Sequence, residues 1–306
     1  MQKVLIFIIE IILKTIAALP LRVWFFISSY LIFPLLFYVL KYRKKVVISN
    51  LQNSFPEKTS LEIEEIARKF YVYLADNIVE TIKRFNISEK ELNKRITIKN
   101  PELIEKYFNE GKNLMLSVGH VGNYEWFGSF IPKLVSYEVL VPYRKLTSPV
   151  GEAIMKKNRG IFGIIAFPTL ETAQYLKKKY SKPFMLFMAN DQSAHPYKAF
   201  WTEFLHQATS FYPGTEKLAK LFDMPVVFAH VKVPKRGYYE VTFELLSDEP
   251  KVLPEGEIMK MHAATLEKDI IARPEFWLWS HRRWKHKMPE ELEFGFVAKK
   301  DRKVRL

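Results

Sequence analysis

Apolar and polar positions change rhythm twice along the chain. At the start they hardly alternate: residues 4–19, "VLIFIIEIILKTIAAL", carry only Glu10 and Lys14 as charges, and residues 23–40, "VWFFISSYLIFPLLFYVL", carry none. As a helix, the second run reaches roughly 27 Å at about 1.5 Å per residue, close to the hydrocarbon core of a bilayer. Pro34 predicts a kink in it. Arg22 precedes the run and Lys41, Arg43, Lys44 and Lys45 follow it, so the positive-inside rule sets the following body on the cytoplasmic side. A secretory signal fits less well, because no small-x-small cleavage site stands before Pro20 and the apolar text continues past it. A buried helical hairpin would carry the same pattern. The reading adopted is a membrane anchor over residues 1–45, spanning the bilayer or lying in its interface.

The rhythm next becomes helical. Ile63, Ile66, Phe70, Leu74, Ile78 and Ile82 recur at three- and four-residue steps, with Thr59 or Ser60 placed to cap a helix over 59–85. Beyond it the pattern switches to short apolar runs at 113–118, 137–142, 163–167, 183–188 and 225–231. Helical segments lie between them, near 123–133, 149–159, 169–180 and 213–223. Such alternation predicts an α/β fold with a mostly parallel central sheet flanked by helices. Pro234 to Gly237 reads as a turn into an antiparallel strand, 238–246, and a helix follows near 256–272. The tail "AKKDRKVRL" is charged and expected to fray. No repeat or long linker appears, so residues 46–306 are read as one domain.

Composition narrows the chemistry. There is no cysteine, which removes disulfides, thiolate metal sites and a cysteine nucleophile together. The net charge of +14 points to an anionic partner: nucleic acid, a membrane surface or an acidic protein. "WSHRRWKHK", Trp279 to Lys287, interleaves aromatics with cations, a pattern that suits stacking on bases or binding phosphates.

The densest chemistry lies in "SVGHVGNYEW", Ser117 to Trp126. It follows a predicted strand, and ligands in open α/β sheets bind beyond the carboxyl ends of strands. On one ideal helix His120 and Glu125 would diverge by roughly 140°. They can approach if His120 lies in a turn, eased by Gly119 and Gly122, and Glu125 lies in the first turn of a helix capped by Asn123. A neutral histidine is a general base near neutral pH, and a carboxylate on its other nitrogen fixes the tautomer. No G-x-S-x-G supplies a serine nucleophile, so the proton to be taken belongs to a substrate. Spacing alone leaves open a structural histidine beside a helix cap. No H-E-x-x-H supports a metal site. Asp191 ends another predicted strand and is read as ordering the site, binding an arginine or capping a turn. His195 and His206 read as loop residues and His230 as a satisfied core residue.

His120, four residues and Glu125 resemble the signature of the lysophospholipid-acyltransferase-like superfamily. The chain is more closely similar to the lipid A biosynthesis lauroyl/myristoyl acyltransferases. "NLQNSFP" (Asn50 to Pro56), "PYRKL" with Arg144, "NRG" with Arg159, "NDQ" with Asp191 and Gln192, and "PEFWLWSHRRWK" (Pro274 to Lys285) occur in the family's order and cover most of residues 50–285. The chain departs from the family at Ser193-Ala194-His195, where Asp and Gly are common, and at Val121, where many relatives carry an aromatic. The resemblance implies acyl transfer from a thioester, on acyl carrier protein or coenzyme A, to a hydroxyl of a membrane lipid, without a cofactor. It implies His120 as base and Glu125 as its partner, on the cytoplasmic face of the cell inner membrane. Arg159 and the backbone N–H groups around Gly119 and Gly122 are then candidates for the oxyanion, and Arg144 for an acceptor phosphate. Asp191, Gln192, Arg282 and Arg283 complete the expected binding residues. Nucleic acid is not expected as a partner on this reading. The rival is a membrane-tethered lipid- or nucleic-acid-binding protein that uses Arg282 and Arg283 without turnover; a hydrolase with water as acceptor is a lesser one.

Overall fold

A computed structural model describes residues 2–297; the charged tail expected to fray, 298–306, lies outside them. The chain opens with four helices: α1 (Gln2–Ala17), α2 (Leu21–Val39), α3 (Lys44–Ser54) and α4 (Ser60–Lys83). A short α5 (Glu89–Asn93), β1 (Ile96–Ile98) and α6 (Glu102–Asn109) lead into the alternating region. There β2 (Leu114–Val118), α7 (Tyr124–Phe130), β3 (Glu138–Tyr143), α8 (Pro149–Arg159), β4 (Ile165–Pro168), α9 (Thr172–Leu176) and β5 (Phe184–Ala189) follow one another. A hairpin of β6 (Phe200–Phe204) and β7 (Gln207–Phe211) precedes α10 (Gly214–Phe222), β8 (Val226–Lys235), β9 (Tyr238–Ser247), α11 (Glu257–Ala272) and β10 (Gly295–Phe296).

Seven strands form the main sheet in the order β1-β9-β8-β2-β5-β3-β4. All neighbours are parallel except β8 and β9, whose antiparallel pairing follows from the tight turn that joins them. The expected mostly parallel sheet is thus present. Every residue of β2 is buried, because helices cover both faces of the sheet. Alternate residues serve opposite sides: Met115 joins the core formed with α4 and α11, whereas Leu114, Leu116 and Val118 join that of α6 and α7.

The helix α4 begins at a capping box, in which Thr59 accepts from Glu62 N–H and the Glu62 carboxylate accepts from Thr59 N–H. Against its far end rests α2. Ser28 Oγ donates to Asp76 at 2.5 Å, and Lys83 Nζ donates to the carbonyls of Ala17 and Leu19 at 2.8 and 3.0 Å. The helix passes Pro34 between two π-helical stretches, Ser28–Ile32 and Leu35–Val39, whose wider turns absorb the missing N–H. Only 17% of the apolar window in α2 is buried, so it is not one arm of a core hairpin. Together with α1 it leaves Phe7, Phe26, Tyr30 and Val39 well exposed.

The antiparallel sheet β10-β6-β7 lies outside the predicted elements. It packs Trp201 into a small core of its own.

Candidate functional site

Two neighbouring strands build the site. Val118, the last residue of β2, pairs with Ala189, the last of β5, so the segments that follow both strands emerge side by side at the carboxyl edge of the sheet. One carries His120 and the other Asp191. The Asp191 Oδ2 atom accepts the His120 backbone N–H at 2.9 Å and the Trp277 Nε1–H at 2.8 Å, while Oδ1 lies 2.5 Å from His120 Nδ1. Burial alone would raise the Asp191 pKa. The charge of His120 and these hydrogen bonds overcome it and hold the carboxyl well below its usual range. For His120, burial opposes the charged form, but Asp191, by charge and hydrogen bond, and Glu125 more weakly, raise it above the ordinary value. With Nδ1–H donated to Asp191, the lone pair sits on Nε2, where it accepts from the Gln192 side-chain N–H at 3.2 Å. The Tyr124 ring lies edge-on against the imidazole, with centroids 4.6 Å apart.

Glu125 occupies the first turn of α7, and Asn123 caps that helix by accepting Trp126 N–H at 2.8 Å, as the sequence predicts. Its carboxylate, however, does not take the place expected for it on His120 Nδ1. It is held by Arg84 Nη1 at 2.8 Å and Arg159 Nη2 at 3.4 Å. The register of β2 against β5 hands the imidazole to Asp191 instead. Burial would raise Glu125, and the charges of Arg84 and then Arg159 reverse this and keep it ionised. Arg84 is buried at the end of α4. It also donates to the Asn158 side chain, to Glu125 O at 3.0 Å and to Ser129 Oγ at 2.8 Å. Arg159 ends α8 with its guanidinium 5.6 Å from the Tyr143 ring centroid.

Space constrains both glycines. A Cβ at Gly119 would lie 2.3 Å from Leu266 on α11. Gly122 has φ of +59°, and its N–H, expected to be available to an oxyanion, is already donated to Phe276 O at 3.1 Å. Its carbonyl accepts Tyr73 Oη–H at 2.7 Å.

Arg144 is exposed just past β3, and Arg282 is exposed as well. Arg283 is not: it is 1% exposed, donates to Ser210 O at 2.6 Å and lies over the Phe211 ring, and burial pushes its pKa down to about 9. Of the two arginines expected to bind substrate, only Arg282 is thus on the surface. The tryptophans and Arg283 of the "WSHRRWKHK" segment serve packing, while Arg282, Lys285 and Lys287 stay exposed. Trp279 is fully buried and donates to Pro274 O at 2.6 Å, Trp284 donates to Thr209 Oγ1 at 2.7 Å, and Asn50 Nδ2 donates to the carbonyls of Trp279 and His281. It ties α3 and the small sheet to the floor of the site.

Sequence reasoning missed Arg84, Trp277 and His281. The last accepts Ser193 N–H at 3.1 Å, and burial, then Arg283, lowers its pKa to about 4. Ser117 bonds the buried His262 at 2.8 Å, beneath the sheet edge, and His262 is held neutral by burial at about 4. His195 and His206 are exposed.

No curated protein matches the chain. A protein-family model does: residues 1–286 match that of the bacterial lipid A biosynthesis acyltransferases.

Proposed function

The chain belongs to the bacterial lipid A biosynthesis acyltransferase family, and from that premise we propose that it moves a fatty acyl chain from a thioester to a hydroxyl of a lipid A precursor or related lipid, with His120 as general base. One observation carries the role of His120: its Nδ1 is tied to a buried carboxylate while Nε2 keeps a lone pair at the strand edge. The acceptor hydroxyl gives its proton to Nε2 as its oxygen attacks the thioester carbonyl. The tetrahedral intermediate then collapses, the carbon–sulfur bond breaks, and the imidazolium returns the proton to the departing thiolate. Asp191 holds the tautomer and stabilises the imidazolium, the part first assigned to Glu125. Glu125 instead fixes Arg84 and Arg159 beside the base. Arg159 spends one N–H at Glu125 and has others for the oxyanion. The exposed fork of Arg144 suits a phosphate on the acceptor.

The membrane role rests on the exposed apolar faces of α1 and α2. Residues 1–45 serve as anchor and residues 46–306 as the catalytic body, on the cytoplasmic face of the inner membrane by the basic residues that follow α2. The net charge of +14 favours an acidic carrier protein over coenzyme A as donor. The rival reading, a tethered binding protein without turnover, loses support because Arg283 is buried.

The test uses purified protein in detergent, acyl carrier protein and coenzyme A thioesters of mixed chain length, and a total lipid extract. Mass spectrometry should find a lipid heavier by one acyl group with wild type and none with folded His120→Ala. An equal yield from that variant would remove His120 from the chemistry, and free fatty acid without acylated lipid would indicate a hydrolase.

A further inference from the structure

A cavity lies away from the transfer site, where the sheet meets the anchor. The strand β8 connects the two places. At Val231 it packs against Gly122 of the His120 loop, and at its tip Gly237 packs against the Phe25 ring of α2. Six residues separate these contacts, up to about 20 Å of extended chain. The tip is fastened to the anchor: Arg236 bonds both carboxylate oxygens of Asp76, the residue that also receives Ser28, and donates to Phe25 O at 3.1 Å.

Beside this fastening is a cavity of about 200 Å³ lined by Lys94, Arg95, Thr97, Lys235, Tyr238 and Glu240, among others. Its charges do not cancel. Arg95 is met by Glu91 at 2.6 Å, and Glu240 by Lys99 at 2.9 Å. Among the described residues no carboxylate pairs with Lys94 or Lys235. The Lys235 ammonium lies 4.0 Å from the Tyr238 ring centroid, and the Arg95 guanidinium lies 4.8 Å from it, which gives the cavity an aromatic wall between two cations. Two uncompensated positive charges, in a cavity that Thr97 and Tyr238 also line, match a phosphate group. The neighbouring turns of α2 present Val23, Phe26 and Tyr30 to the surroundings, so a phosphate in this cavity would sit beside an apolar phase.

We propose that the cavity between Lys94 and Lys235 binds a phosphate group, carried by the headgroup of an anionic membrane lipid, and so fixes the height and tilt of the enzyme on the bilayer. The proposal is independent of the acyl-transfer reading, because its readout is binding.

The test compares full-length wild type, Lys94→Gln/Lys235→Gln and a control pair, Lys177→Gln/Lys179→Gln, which removes the same charge from an exposed turn leading into the opposite end of β5. Partition is measured onto vesicles of phosphatidylcholine alone and onto vesicles with about one third phosphatidylglycerol; at about fivefold per juxtamembrane lysine, the first pair should lose roughly 25-fold on the anionic vesicles only. The control pair should lose little. Circular dichroism and urea denaturation establish that the Lys94/Lys235 variant is folded. A second arm titrates inorganic phosphate at constant ionic strength. Saturable binding that vanishes in the Lys94/Lys235 variant, with vesicle partition unchanged, would confirm the phosphate chemistry and assign it to a free anion rather than a lipid. Equal losses for both pairs on anionic vesicles would reduce the cavity to general surface charge, and no loss in either arm would overturn the site.

Discussion

His120 and His230 look alike until the second ring nitrogen is considered. Each has a carboxylate on Nδ1, Asp191 at 2.5 Å and Asp269 at 2.8 Å. Each has its pKa raised by that partner against the opposing effect of burial. Their side chains are 13% and 16% exposed, so burial does not tell them apart. The Nε2 atom does. In His230 it meets a second carboxylate, Glu244, at 3.0 Å; two anions claim two protons, and the ring becomes a charged strut between β8, β9 and α11. In His120 it accepts from the neutral amide N–H of Gln192, which claims no proton and leaves Nε2 unprotonated at the strand edge. On the proposed mechanism, one histidine–carboxylate pair is a base and the other a brace, according to what the far nitrogen faces.

Substitutions can break that comparison. His120→Ala should lower transfer by roughly 10⁴-fold, the upper end of general-base catalysis, while His230→Gln leaves turnover unchanged. Steady-state rates on the two purified variants check this. Asp191→Asn should lower kcat by roughly 10²–10³-fold, because an amide no longer fixes the tautomer. Glu125→Gln should act on the fold as well as on rate. It strands the buried Arg84 guanidinium without its countercharge, which should cost about 3 kcal/mol in urea denaturation. The smallest effect belongs to His230→Gln, about 1–2 kcal/mol of stability from the lost charged hydrogen bonds. Its sign with pH is fixed. Because the folded pKa of His230 is raised, its stabilisation is complete below an unfolded value of about 6.5 and fades as pH rises through the folded value. The gap between wild type and variant should therefore close on the alkaline side.

Much of this architecture was legible. The 149–159 helix has the bounds its pattern predicts, and β2, β3, β5 and β8 start within a residue of the apolar runs that mark them. The small sheet was not, and its turn explains why. β6 and β7 are joined through Leu205 and His206, both at positive φ, where the usual hairpin signal is Asn-Gly or a similar pair. The turn at His120 and the cap at Asn123 were readable because they are local. The His120–Asp191 bond spans 71 residues and depends on β5 lying beside β2, and strand order is not written in any single segment. Two strand ends carrying His and Asp were a usable hint, but the nearer carboxylate in sequence, Glu125, drew the assignment. Arg84 sat unremarked in a helical pattern because nothing in its spacing announces a buried charge.

The central claim is that Asp191, rather than Glu125, governs the protonation of the base. The most direct measurement is the pH dependence of kcat for wild type, Asp191→Asn and Glu125→Gln in the same detergent. The proposed mechanism needs neutral His120, so in wild type activity should fall, as pH drops, through a midpoint above the ordinary histidine value of about 6.5. Removing the charge of Asp191 leaves burial opposed only by the weaker charge of Glu125, and the midpoint should move down. Glu125→Gln should move it less. A midpoint that follows Glu125 and ignores Asp191 would contradict the account.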